Sequence, residues 1–154
     1  MWYFPGTLYL QLLYPVSCCY VVPIFHKEEL AEDTILLKLK LINSFKTSSK
    51  NILDVGAGTG DFLKVCQNNS WNVFGTEPDF GARKIASKKG VILLEDLSKI
   101  ENQKFDVITL WHVLEHVEKL SDYVTKLKEL LSENGRLIIA VPNYKSYDAK
   151  HYKE

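Results

Sequence analysis

Residues Asn51 to Phe62 read NILDVGAGTGDF, and the reading of this stretch decides the fold. Ile52, Leu53 and Val55 form a short apolar run of the kind buried in a parallel sheet, and Gly56, Gly58 and Gly60 follow at once. A strand therefore ends at Val55 and a tight turn begins. Glycine is the residue that lets backbone turn through positive φ or approach a ligand closely, and Thr59 or Asp61 is placed to cap the helix that Phe62, Leu63, Val65 and Cys66 continue. Such a helix start directs amide N–H groups and a positive dipole end at whatever lies over the glycines. The spacing G-x-G-x-G puts the third glycine one residue earlier than a dinucleotide fingerprint does, and no Lys-Ser/Thr pair completes a P-loop.

Asp54 stands two residues before the first glycine. With that acid, the stretch resembles the first motif of class I S-adenosylmethionine-dependent methyltransferases. The resemblance implies that Gly56, Ala57, Gly58 and Gly60 pass under the methionine part of the cofactor. It also implies that Asp54 orients the loop or the cofactor amine. A glycine-rich turn without a ligand is the plain alternative.

The chain has 154 residues, enough for one domain with a core but short for a complete α/β enzyme. Its 19 basic and 19 acidic residues cancel, so no general attraction to nucleic acid is expected. The three cysteines, at 18, 19 and 66, form neither an even framework nor a C-x-x-C pair, which excludes a zinc ribbon and points to free thiols in a reducing, cytoplasmic setting. Residues 1–25 carry no charged side chain and hold seven aromatics. They lack the basic start and unbroken apolar centre of a secretory signal, and Pro5, Pro15 and Pro23 disfavour a spanning helix. An apolar segment lying on the domain or shielding a pocket is the expected reading, with membrane contact or an atypical start as alternatives; residues 26–154 are the expected domain.

Along that domain, Glu28 to Phe45 has a helical apolar stripe, followed by the polar linker KTSSK, residues 46–50. Trp71 to Thr76 reads as a second strand with Glu77 at its end, before Pro78 and Asp79. An acid about twenty residues past a glycine turn, on the neighbouring parallel strand, is placed to accept hydrogen bonds from ribose hydroxyls; the alternative is a helix-capping acid, a role Asp79 could fill. A helix over Asp79 to Lys89 and a third strand, Val91 to Leu94, follow. In the resembled family an acid just after this strand bonds the adenine amino group, which implies Asp96 with Leu97; Glu95 and an ordinary capped turn remain open.

Phe105 to Leu110 is the fourth strand, and it leads into WHVLEHV, residues 111–117. A helix starting there would place His112, Glu115 and His116 at i, i+3 and i+4 on one face, residue types suited to proton transfer or to a divalent metal. The run resembles the L-E-H-V stretch of ubiquinone-biosynthesis-type methyltransferases, some of which bind magnesium through E-x-x-E-H. His112 stands where the first Glu would be, so no metal is assigned. His116 and His112 are the expected proton acceptors, and Trp111 is expected to wall the cofactor pocket. Packing and capping alone is the competing reading of the stretch.

Leu120 to Leu131 is a further amphipathic helix, SENG a stop with Gly135 left-handed, and Arg136 to Val141 a fifth strand before Pro142. KELLSENGRLIIAVPN resembles the family's L-x-x-G-G-x-L-x-I-x-x-P, with Asn134 for one glycine. The resemblance spans Asn51 to Asn143 and implies a Rossmann-like, doubly wound α/β sheet of order 3-2-1-4-5, with the family's strands six and seven lacking and the fifth strand an open edge able to mediate association. It implies S-adenosylmethionine as cofactor and methyl transfer to a small-molecule acceptor, with no nucleic-acid partner. A cofactor-binding module without an acceptor pocket is the rival reading.

Overall fold

The computed structural model describes residues 19–23 and 31–141 of the chain. Its strands and helices run β1 Cys19–Pro23, α1 Ala31–Asn43, β2 Asn51–Val55, α2 Asp61–Asn68, β3 Asn72–Thr76, α3 Phe80–Lys88, β4 Phe105–Trp111, α4 Leu120–Leu130 and β5 Leu131–Val141. Two single 3-10 turns, Leu97–Lys99 and Leu114–His116, lie before β4 and after it.

The strands form one sheet of order β1-β5-β4-β2-β3, and every pairing in it is parallel. Alternation along the strands sorts their side chains onto two faces. Ile52, Val107 and Ile138 join Leu39 and Ile42 of α1, Leu63 and Cys66 of α2 and Ala86 of α3 in one core. Leu53, Val55, Ile108, Leu110, Leu137 and Ile139 join Leu127 and Leu130 of α4 in the other. Helices on both faces of a parallel sheet make this the expected Rossmann-like, doubly wound α/β fold. Burial on both faces also explains why β2, β4 and β5 read as nearly unbroken apolar runs.

Three expectations about the elements change. The run Val91 to Leu94 is not a full strand: only Leu94 bridges Thr76, in the parallel sense. The amide of Val91 donates to the Ala86 carbonyl at the end of α3, and Ile92 is 71% exposed, so the sheet ladder starts only where Leu94 N–H reaches the Gly75 carbonyl. Gly135 is not left-handed, and neither is Asn134. Helix α4 passes directly into β5, which bulges against β4 between Phe105 and Val107. Gly135 is needed there for room, since a Cβ would stand 2.8 Å from the Phe105 carbonyl oxygen. Finally, the outer edge of β5 is not open. Residues 19–23, from the aromatic N-terminal segment, pair along it from Cys19 with Leu137 to Pro23 with Val141. The other expectations for residues 1–25, the start of the first helix and the tail beyond Val141 lie outside the described residues.

The base of the sheet is tied by one carboxylate. Asp106, near the start of β4, accepts hydrogen bonds from the Ser48 hydroxyl, the Ser49 amide and hydroxyl and the Asn51 amide, at 2.8 to 3.2 Å. The linker out of α1 is thus pinned where β2 begins. This end of the sheet is structural, and the opposite end, at the carboxyl tips of the strands, carries the site.

Candidate functional site

β2 ends at Val55 beside β3, which ends at Thr76 in register with it. The amides of Gly56 and Ala57 both donate to the Thr76 carbonyl, at 2.8 and 2.9 Å, so the chain leaves β2 by turning across the tip of β3. Gly56 sits at φ +70°, and a Cβ on it would come within 2.6 Å of a Val113 methyl. Glycine is required here for both reasons, the conformation and the close approach. Gly60, at φ +75°, begins α2 with no side-chain cap, so neither Thr59 nor Asp61 caps that helix as expected. Their polar groups go elsewhere: the Thr59 hydroxyl donates to Asp61, and Lys89 donates to the Thr59 carbonyl and pairs with Asp61 at 2.6 Å, lashing the turn to the end of α3.

Glu77 follows β3, and its carboxylate turns onto the glycine turn. Oε2 accepts from the Gly58 amide at 2.8 Å, and Oε1 accepts from the Asp79 amide at 3.0 Å. Asp79 itself caps α3, accepting from the Ala82 amide at 2.6 Å, which leaves Glu77 free of a capping role. Pro78 is exposed beyond it, and the Glu77 and Pro78 carbonyls are gathered by the Arg83 guanidinium at 2.7 and 2.6 Å. The acid at the tip of β3 is thereby fixed beside the turn at the tip of β2, as the spacing predicts.

Under the turn lies Asp54, fully enclosed at 2% exposure. The Thr109 hydroxyl of β4 donates to its Oδ1 at 2.6 Å. Burial pushes this carboxyl up to about 7, against the lowering effects of the Thr109 hydrogen bond and the positive charge of Lys38. A carboxyl raised in this way is poised to respond to a charge placed above the turn.

A cavity of about 210 Å³ opens over this arrangement, lined by Ile35, Lys38, Asp54, Gly56, Ala57, Gly58, Asp61, Phe62 and Trp111. Trp111, at the end of β4, forms its wall and meets Phe62 edge to face, with ring centroids 5.8 Å apart. Its indole Nε1 is buried and has no hydrogen-bond partner. A buried unpaired donor on a cavity wall costs free energy until something accepts from it.

Other expected residues are placed differently. Asp96 caps the 3-10 turn, its Oδ1 accepting from the Ser98 amide at 2.6 Å, and hydrogen bonds from the Ser98 side chain and amide hold its carboxyl below the usual range. Leu97 packs into the core around α4. Both line a second groove of about 510 Å³, with Tyr123 and Lys126 among its walls, which shares no residue with the glycine-turn cavity. The capped turn is present, and a carboxylate that caps a turn can still accept from a ligand. After Trp111 the chain does not enter a helix. His112 takes the left-handed conformation, φ +58°, with its amide donating to the Ala140 carbonyl of β5, and only Leu114–His116 wind into a 3-10 turn. The i, i+3, i+4 face is thus not built. His112 Nδ1 lies 3.6 Å from Glu115 Oε1, but no group of three or more His, Cys, Asp or Glu is placed to hold a metal ion among the described residues.

Sequence reasoning missed Lys38 and Thr109. Lys38 carried a signal: it shares the inward stripe of α1 with Ile35, Leu39 and Ile42, at i, i+3, i+4 and i+7, where a charge is out of place. Thr109 had none, because a threonine in a buried strand reads as a strand former.

The model of a family described as "Methyltransferase domain" matches residues 26–154. The chain is 34% identical over 110 residues to the ubiquinone biosynthesis O-methyltransferase of Actinobacillus pleuropneumoniae serotype 7, covering 61% of this chain and 46% of that protein. It is 31% identical over 104 residues to the mitochondrial ubiquinone biosynthesis O-methyltransferase of Schizosaccharomyces pombe, covering 60% of this chain and 38% of that one. The chain thus spans less than half the length of these two curated relatives. Among solved structures, the plantazolicin methyltransferase BpumL, in complex with a pentazolic desmethylPZN analogue and SAH, superposes with a TM-score of 0.67 at 20% identity, over 81% of this chain and 53% of that one. With most of its length matched by the family model, the chain belongs to the methyltransferase-domain family.

Proposed function

We propose that residues 26–154 are a domain that binds S-adenosylmethionine over the Gly56–Gly60 turn and transfers its methyl group to a small-molecule acceptor. Glu77 takes the ribose hydroxyls, and Pro78 borders that end of the site. Gly56, Ala57, Gly58 and Gly60 pass beneath the methionine part, Asp54 faces its amine through the turn, and Trp111 forms the wall beside the sulfur. The observation that carries this reading is the 2.8 Å hydrogen bond from the Gly58 amide to Glu77, which joins the tips of the two neighbouring strands into one polar cradle. A carboxylate has lone pairs for more than one donor, so Glu77 can hold the turn and still accept from a diol.

The chemistry asks little of the protein beyond placement. When bound, S-adenosylmethionine would supply an electrophilic methyl carbon, which an acceptor lone pair would take as the carbon–sulfur bond broke, its electron pair staying on sulfur as a neutral thioether. Holding the acceptor in line behind the methyl and excluding water supply most of the rate. Where the acceptor must lose a proton, His116 or His112 is the base, and Glu115 lies 3.6 Å from His112 Nδ1 to orient that ring. The free thiol of Cys66 suits a reducing compartment, for which we propose the cytoplasm. No helix among the described residues is long and apolar enough to cross a membrane.

Isothermal titration with S-adenosylmethionine and its demethylated product, S-adenosylhomocysteine, tests the reading. The wild-type chain binds both, and Glu77→Ala weakens both by at least about tenfold, the loss of charge-assisted hydrogen bonds. A folded wild-type chain that binds neither overturns it.

A further inference from the structure

The glycine-turn cavity already holds a cation. Lys38 reaches it from the inward stripe of α1, and its Nζ stands 4.3 Å from the centroid of the Trp111 ring and 5.8 Å from that of Phe62. The side chain makes no ion pair among the described residues; burial lowers its pKa from the ordinary lysine value, and the nearby charge of Asp54 works against that lowering. Lysines at a domain surface ordinarily run their stems along apolar groups and carry the ammonium out to water. This one instead rests its charge on the face of an aromatic corner, where the ring quadrupole attracts it.

An aromatic face that holds one cation can hold another, and the proposed cofactor carries a positive charge at sulfur before transfer and none after it. We propose that Lys38 is a specificity-determining residue of this cavity, whose ammonium competes with the donor's sulfonium for the Trp111 and Phe62 faces and so sets the relative affinity for cationic donor and neutral product. The inference rests on the donor-binding reading above. Lys38 opposes the donor whether it stays beside the sulfonium or is pushed off the ring. The product meets no charge repulsion. A positive charge in this position therefore raises the reactant state relative to the state in which sulfur has become neutral, so its influence lies in the direction of the reaction.

The test is the ratio of affinities, measured by titrating S-adenosylmethionine and S-adenosylhomocysteine into wild type, Lys38→Met and Lys38→Arg, each checked for folding by thermal melt. Lys38→Met is expected to raise the preference for the donor over the product by about three- to tenfold, the range of a partly exposed cation on an aromatic face. Lys38→Arg keeps the charge and stays within about twofold of wild type. Should Lys38→Met not fold, Lys38→Gln removes the same charge and carries the same expectation. Equal weakening of both ligands overturns the proposal, because Lys38 would then act on a group the two share, such as the carboxylate. An unchanged ratio at unchanged affinity overturns it as well. Failure of the wild type to bind either ligand removes the donor-binding reading itself, and is told apart by appearing before any substitution is made.

Discussion

At the scale of single residues, the site depends on carboxyl groups in opposite situations. Asp54 is buried with one hydroxyl donor, and burial raises it to about 7. The folded chain therefore binds a proton more tightly than the unfolded chain does. Stability falls as pH rises from the ordinary carboxylate range near 4 to about 7, and is flat above that. Asp54→Asn removes this dependence: chemical denaturation from pH 4 to 8 is expected to show the wild type losing stability across that window and the variant not doing so. The same substitution weakens binding of the donor at pH 8, where the wild-type carboxylate is charged. Glu77 is partly exposed at the tip of β3, where a ligand can reach its carboxylate directly. Of the residues at the site, Glu77 and the glycines were readable from spacing. Thr109 and the orphaned indole N–H of Trp111 were not, because both are defined only by what stands across the sheet from them.

At the scale of elements, the linker between α1 and β2 is held by Asp106. Burial alone would raise that carboxyl, but hydrogen bonds from Asn51, Ser49 and Ser48 outweigh it and hold the group below its usual range. A carboxyl lowered in the folded state contributes stability that is fully present above the unfolded value and is lost as pH falls through the folded one. Asp106→Ala is expected to cost about 2–3 kcal/mol at pH 7, the range for hydrogen bonds to a charged acceptor whose donors are then left unpaired. Urea unfolding is expected to show the gap between wild type and variant narrowing toward pH 3. The linker's polarity announced a turn, but its anchor lies 55 to 58 residues away in sequence. The run after β4 shows a related limit. LEHV has the composition of a helix start, yet β5 takes the His112 amide, and the left-handed turn at His112 leaves only a 3-10 turn to follow.

At the scale of the whole molecule, the cavity sits where β2, β4 and the two helices α1 and α2 meet, so a ligand there binds only the folded chain. S-Adenosylmethionine at about a hundred times its dissociation constant is expected to add about 2.7 kcal/mol. For a chain of this size that raises the melting temperature by about 5 to 10 °C in a thermal shift measurement. An unchanged melting temperature at that concentration would contradict binding to the folded cavity.

The apolar runs, the glycine spacing and the acid at the tip of β3 were enough, taken alone, to determine a doubly wound parallel sheet and to bring Glu77 onto the Gly56–Gly60 turn. Each of those signals is local, a matter of periodicity or backbone conformation within a dozen residues. Only the tertiary structure decided that residues 19–23 close the β5 edge, that Asp96 caps the turn at Leu97–Lys99, that His112 turns left-handed instead of starting a helix, and that Lys38 lays its charge on Trp111. Those outcomes depend on pairing register and on packing between elements far apart in the chain, where a backbone amide or a ring face goes to whichever partner the fold brings nearest.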